Sequence, residues 1–459
     1  MRGDLTQGPI LRTLIMFSIP TMLSNVLQTL GQTINTIWVG QLLGESAVAA
    51  TVNANLVMFL VFSTVFGFGM ASTVKVGQNL GAGNVDGARR SFGTGTGLCT
   101  GLALIGAVLG WVYADSLLAI MSTPESVRQE ALSYLRVIFV GMPVSTFQMM
   151  LSMGLRGAGD AKTPFHAVIA VTVLTVILNP LLIMGIGPFP EMGIAGSALA
   201  NVLANVFGLL MLLAVMYWRD LPLRLKGREL GYLNPFSPEL NYVLAKGIPM
   251  GASTLVNSAS GLIMLGFVNR EGMLTTAAYG AVMQVWSYVQ MPAFAVSMAV
   301  SAMVAQNAGA GQHDRADRIN NAGVWAILAI TTVLSILLLA FDTPLIGLFL
   351  GQGSEAIPIA NHIQLIAIWA WVLSGITMTY VGTMRSYGAV IAPLIVMAIA
   401  LYPGRLGFYF LAYPLLGADA LWFAFPFGSL ISMVLIWFVY KRGNWRTDQV
   451  PRPAGMPPQ

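Results

Sequence analysis

Charge is the first thing this sequence lacks. Asp, Glu, Lys and Arg make up only 9% of its 459 residues, against 56% hydrophobic residues and a mean hydropathy of +0.74. So little charge leaves too little polar surface for a soluble globular protein. Cysteine is nearly missing as well. The lone Cys99 excludes an intrachain disulfide and a Cys-rich metal site, and its Leu, Thr and Gly neighbours make it a small packing residue. His166, His313 and His362 lie too far apart to form a ligand motif. The period-two alternation of a membrane barrel is also absent. What is present is a series of apolar runs of about 20 residues or more, the mark of an all-α polytopic membrane protein.

About twelve transmembrane helices are expected, over residues 12–40, 48–77, 90–118, 129–156, 163–187, 192–218, 241–268, 275–304, 319–349, 357–384, 390–414 and 418–440. The first run is too long for a signal peptide and reads as a retained span. Cations collect in alternate connections: Arg2 and Arg12, Arg89 and Arg90, Lys162, Arg219 to Arg228, Arg315 and Arg318, Arg385, then Lys441 to Arg446. The other connections hold Glu45, Glu125, Glu191, Glu271 and Glu355 with few cations. The positive-inside rule then puts both termini in the cytoplasm and the chain in a cell's inner (plasma) membrane. The net charge of +5 is therefore a topology signal and does not call for nucleic acid.

The chain repeats itself. Residues 77–90 read GQNLGAGNVDGARR and residues 305–318 read AQNAGAGQHDRADR. An offset of about 229 residues also pairs Ile19 and Pro20 with Ile248 and Pro249, and Arg156, Gly159 and Pro164 with Arg385, Gly388 and Pro393. Six spans per half is an even number, so the halves are parallel repeats of the kind secondary transporters use. The expected organisation is an N-terminal lobe over 1–222, a linker over 223–240, a C-terminal lobe over 241–442 and a disordered tail over 443–459. The Gly-rich pair lacks the Gly-Lys-Ser/Thr ending of a phosphate loop and follows no strand. It reads as a tight turn, and ATP is not expected.

Polar residues recur on helix faces. Asn25, Gln28, Gln32 and Asn35 are spaced three, four and three apart, one face of a helix some 15 Å long. Thr172, Thr175 and Asn179, with Pro180 next, mark the fifth span; Ser197, Asn201 and Asn205 mark the sixth. One such stripe is ordinary interhelical glue. Three within one half suggest a shared polar pocket, to which proline adds a freed carbonyl. The second half offers Ser253 and Asn257, Gln284 and Gln290, and one intramembrane cation, Arg405, which serves either function or the capping of helix carbonyls. Met149, Met150 and Met153 read as core packing rather than an adaptable ligand wall. None of the 18 carboxylates falls well inside a span; Asp115 and Asp342 come closest.

Two six-span halves, Ile-Pro opening spans one and seven, TINTIWVG closing span one, the GQNLGAG and AQNAGAG turns, LRGAGDAKTP after span four and NPLLI in span five together resemble the multidrug and toxic compound extrusion (MATE) family. The resemblance implies antiport, in which an organic compound leaves as Na⁺ or H⁺ enters and two lobes rock about a cavity. It also implies acids near the end of span one, before the span-five proline and in span seven, where this chain has Asn35, Asn179 and Asn257. Asparagine keeps an acceptor oxygen but takes up no proton near neutral pH. Carboxylate-based proton coupling is then lost or moved, and a neutral or anionic substrate fits better than a cationic drug.

The expected protein is a monomeric secondary efflux transporter for small organic compounds in the lipid bilayer, not an enzyme, with no cofactor beyond Na⁺ or H⁺ as coupling ion. The alternatives are a flippase for lipid-linked saccharides or a facilitator without ion coupling. A membrane enzyme would need clustered His, Asp, Glu or a Ser/His pair within spans, and none is visible.

Overall fold

The computed structural model describes residues 3–120, 125–351 and 353–446, less the side chains of residues 53, 56, 57, 60, 61, 64 and 126. The first half is built of α1 (Ile10–Leu43), α2 (Glu45–Gly81), α3 (Val85–Ile120), α4 (Glu125–Gly157), α5 (Lys162–Met184) and α6 (Gly193–Trp218). The second is built of α7 (Leu240–Arg270), α8 (Met273–Gly309), α9 (His313–Ala340), α10 (Asp342–Leu350), α11 (Ala356–Ala367), α12 (Trp369–Ser386), α13 (Ile391–Ile399), α14 (Gly407–Leu416) and α15 (Asp419–Arg442). No strand occurs among the described residues.

Local chemistry ends these helices the same way in both halves. Gly83 stands at φ 76° and Gly311 at φ 73°, a conformation open to residues without a Cβ. Around Gly83 the Asn84 N–H reaches back to the Asn79 carbonyl at 2.8 Å and the Gly83 N–H to Leu80 at 3.0 Å; Gln312 and Gly311 repeat those bonds to Asn307 and Ala308. This is the Schellman closure, which satisfies orphan carbonyls at a helix end. Gly159 and Gly388 close α4 and α12 by the same pair of bonds. The paired glycine-rich runs are thus helix stops, as their lack of a phosphate-loop ending suggests.

Ten described helical spans are long and apolar enough to cross a membrane, and α11 with α12, bent by 42° at their break, make an eleventh. Helix α2, 37 residues long, supplies the remaining expected span, although part of it lies outside the described side chains. Span nine departs from its expected range: it ends at Ala340, and Asp342 opens the separate α10 by accepting the Thr343 N–H. The apolar run continues through this break, so hydropathy alone passes over it. Span eleven is continuous but passes through a π-helical turn, Ala400–Leu406, that holds Pro403 and Arg405.

Two compact units emerge. Among the described residues, unit 1 comprises residues 3 and 23–251, and unit 2 comprises residues 4–22 and 252–446. Helices α1 and α7 therefore each divide between units, and both divisions fall two residues after a helix proline, Pro20 and Pro249. These units cut across the 1–222 and 241–442 lobes that the repeat suggests. Within unit 1, α7 meets α2 backbone to backbone: a methyl added at Gly67 would lie 2.4 Å from the Gly251 nitrogen. Val243 buries itself beside Val65, Phe68, Cys99 and Met150. Within unit 2, the segment before α1 is held by amides, with the Leu5 N–H on Gln306 Oε1 at 2.9 Å and Asn307 Nδ2 on the Leu5 carbonyl at 3.1 Å.

The cores differ in kind. Unit 1 stacks small residues, Ala47, Ala50 and Ala54 on α2 with Ala103, Ala107 and Ala114 on α3, which lets helices approach closely. Unit 2 is filled by aromatics: Trp286, Tyr279, Tyr409, Trp422 and Phe425. Large apolar side chains on the outside, such as Ile105, Val108 and Leu262, suit contact with lipid.

Candidate substrate and ion site

Unit 1 holds all ten polar residues singled out in the first half. The α1 face meets α5 at Gly31, where an added methyl would stand 3.2 Å from Thr172 Cγ2. One turn on, Asn35 Oδ1 accepts a hydrogen bond from Ser197 Oγ of α6 at 2.9 Å, across 162 residues of sequence. Asn201 Nδ2 donates to the Ser197 carbonyl at 3.0 Å. Asn35, Ser197 and Asn201 therefore form one polar chain between α1 and α6.

On α5, Asn179 is fully buried and its Nδ2 donates to the Thr175 carbonyl at 2.9 Å. Its Oδ1 is buried without a partner. Pro180 brings no N–H for the carbonyl of Val176, so a second acceptor is freed on the same turn. A buried acceptor left unmade costs about 1–3 kcal/mol, a cost that a bound donor or cation would recover. All these oxygens are neutral. They can solvate a cation or a substrate donor, but they cannot hold a proton.

Asn25, Gln28, Gln32 and Asn205 make no side-chain hydrogen bond to the described residues, and Gln28 and Gln32 are exposed. Amides left unsatisfied in hydrocarbon are costly, which favours polar surroundings for Gln28 and Gln32.

The second-half candidates do not assemble. Asn257 and Gln284 are exposed, and no hydrogen bond links Asn257, Gln284, Gln290 or Arg405 to one another. Ser253 sits a turn before Asn257 on α7, half-buried. Gln290 borders a void of about 10 Å³ beside Trp371 and Ser374, room for a single water at most. Arg405 turns toward α15, its guanidinium 4.8 Å from the Phe425 ring centre and its side chain packed on Gly428. Its Nε is buried without a partner.

The polar links unit 2 does make involve residues the stripes did not single out, on α9 and α12 and further along α8. Thr383 donates to Asn320 at 2.8 Å, and Ser301 and Ser386 pair at 2.9 Å, all four of these side chains buried. Their signal, an Asn or Ser among small residues, is too common in membrane helices to be read alone. Asp115, at the end of α3, is paired bidentately with Arg128, and His362 pairs with Asp419 at 2.8 Å near a span end. No group of three or more His, Cys, Asp or Glu able to hold a metal occurs among the described residues. Met150 and Met153 pack around Gly69 as core.

A duplicated bundle of membrane-spanning helices, with neutral polar side chains meeting across α1 and α6 in its first unit, has the architecture of a polytopic membrane transporter. The chain belongs to the MatE family, whose model matches residues 20–181 and again 249–410. The two matches are displaced by 229 residues (249 − 20, 410 − 181), the offset of the internal repeat. It is 34% identical over 443 residues to the probable multidrug resistance protein YoeA of Bacillus subtilis, covering 96% of this chain and 95% of that one. It is 24% identical to a FAD transporter of Shewanella oneidensis over 96% of each. Among solved structures it resembles a MATE protein in a straight conformation, with TM-score 0.87, 21% identity and 96% and 98% of the two chains covered. It also resembles a MOP superfamily transporter of Pyrococcus furiosus described by the reversed polarity of its binding pocket, with TM-score 0.85, 20% identity and 96% and 97% covered.

Proposed function

We propose that this protein is a secondary efflux transporter that moves small organic compounds out of the cell by alternating access, as a monomer and without ATP. Its termini lie in the cytoplasm, as the distribution of Lys and Arg favours. The coupling site is the acceptor-rich region of unit 1, where Asn35, Thr175 and Asn179 present neutral oxygens. The observation that carries this reading is Asn179: fully buried, next to a helix proline, with an unpartnered oxygen.

Neutral oxygens favour Na⁺ over H⁺ as the coupling ion, with weak affinity because no anion contributes. The test is uptake into proteoliposomes under an imposed Na⁺ gradient or an imposed pH gradient, applied separately. Substrate movement should follow the Na⁺ gradient and be indifferent to the pH gradient. Restoring an acid with Asn179→Asp or Asn35→Asp should add dependence on the pH gradient. Transport driven by the pH gradient in the unmodified protein would defeat the assignment.

An acid-free interior also favours neutral or anionic substrates, since no carboxylate is there to select a cationic drug. The name of the Shewanella relative, a FAD transporter, points the same way.

A further inference from the structure

We propose that unit 2 binds one anionic phospholipid of the cytoplasmic leaflet, its acyl chain in an apolar groove between α1 and α9 and its phosphate between Arg12 and Arg318. The proposal rests on the membrane orientation given above and is independent of what is transported.

The groove has a volume of about 510 Å³. Ile15 and Ile19 of α1 form one wall, Ala329 and Val333 of α9 the other, and the buried Ala295 and Val296 of α8 lie between them. Ser18 is the one polar side chain along it, and its hydroxyl already donates to the Leu14 carbonyl at 2.7 Å. Nothing in the groove therefore asks for a polar ligand, and an acyl chain fits it.

The rim differs in chemistry. Arg315 Nη2 donates to the Gly8 carbonyl at 2.7 Å, which sets the starts of α1 and α9 side by side. Arg12 lies in the first turn of α1, and Arg318 stands about 5 Å further along α9 than Arg315 at 1.5 Å per residue. Arg12 precedes Ile15 and Ile19 by three and seven residues, and Arg318 precedes Ala329 by eleven, so each cation shares its helix face with the groove wall. Both are exposed, and neither forms an ion pair with a described residue, whereas Arg89, Arg90, Arg128, Arg224 and Arg446 all do.

Two unpaired guanidinium groups above an apolar slot match the headgroup and chain of an anionic lipid in charge and in depth. A purely apolar ligand would need no cations at the rim, and free phosphate would need no groove.

Native mass spectrometry and thermal unfolding in mixed micelles test this, using phosphatidylglycerol, phosphatidylcholine and inorganic phosphate as probes. One phosphatidylglycerol should be retained and should protect against unfolding, in preference to phosphatidylcholine. Arg12→Gln with Arg318→Gln should reduce that preference by about tenfold. Ala329→Trp, which fills the groove from an exposed position, should reduce retention of both lipids, and Arg90→Gln, a paired surface cation elsewhere, should leave retention unchanged. The proposal fails if the double variant keeps the preference, if Ala329→Trp keeps full retention, or if inorganic phosphate protects as well as the lipid does.

Discussion

In unit 1 the chain after α6 folds back over the start of α3, and in unit 2 the chain after α15 folds back over the start of α9. Both straps close on repeat-equivalent positions, since Arg89 and Asp317 align within the paired motifs. The polarity is reversed. Arg89 pairs with Glu229 in unit 1 at 2.6 Å, while Asp317 pairs with Arg446 in unit 2 at 2.6 Å.

The means of support differ as well. The unit 1 strap is a long linker with a short 3₁₀ segment, Gly227–Leu233, laid against glycines of α3: a methyl at Gly97 would fall 1.8 Å from the Leu233 carbonyl oxygen. Tyr232 donates to Asp86 at 2.7 Å, and Arg89 Nε donates to the Pro222 carbonyl at 2.9 Å. The unit 2 strap is four residues, Gly443 to Arg446, held by an aromatic stack. Trp445 lies on Tyr440 with ring centres 4.9 Å apart and meets Tyr387 edge-on at 5.3 Å, and Tyr440 donates to Asp317 at 2.6 Å. Residues 447–459 of the expected tail lie outside the described residues. The comparison teaches that a duplicated fold conserves the place of a closure while its chemistry drifts: backbone contact in one copy, ring packing in the other.

The largest effect should come from removing the ring. Trp445→Ala is expected to cost the unit 2 strap about 3 kcal/mol, read as faster proteolysis at residues 443–446 with α-helical circular dichroism unchanged. Gly97→Ala should displace the unit 1 linker at a cost of about 2 kcal/mol, seen as increased hydrogen exchange over residues 227–233. If it is tolerated without change, the backbone contact does not hold that strap.

Smaller effects should come from the ion pairs. Double-mutant cycles with alanine should give a small coupling for Arg89 with Glu229, and a smaller one for the more exposed Asp317 with Arg446. Equal couplings would remove the distinction drawn here.

The smallest effect is on pH. The Lys226 backbone N–H donates to Glu229, and with nearby Arg89 it holds that carboxyl below its ordinary value of 4.5. A depressed carboxyl contributes stability above its unfolded value and loses it as pH falls through the folded one. A spin label at residue 231 should therefore gain mobility as the pH is lowered from neutral to below 4.5, and Glu229→Gln should abolish that transition.

Much of the candidate site was legible as faces and little of it as contacts. The helical period alone groups Asn25, Gln28, Gln32 and Asn35. That Asn35 meets Ser197 across 162 residues is a product of how α1 and α6 pack, which no local pattern encodes. In the second half the same reading led to Gln284 and Gln290, while the buried polar links run through Asn320 and Thr383. Unit 2 spends its packing on aromatics, and its polar pairs leave no stripe.

The amino-acid sequence by itself determined what depends on neighbours along the chain: apolar runs long enough to span, glycines that stop helices, the repeat offset, and the lack of acids within spans. Those follow from hydration and backbone sterics, which act residue by residue. Only the tertiary structure decided that α1 and α7 are each shared between two units, that the run of span nine breaks at Phe341, and that Arg405 turns onto Phe425. These outcomes are set by side-chain packing between segments far apart in sequence, where the partner decides the conformation.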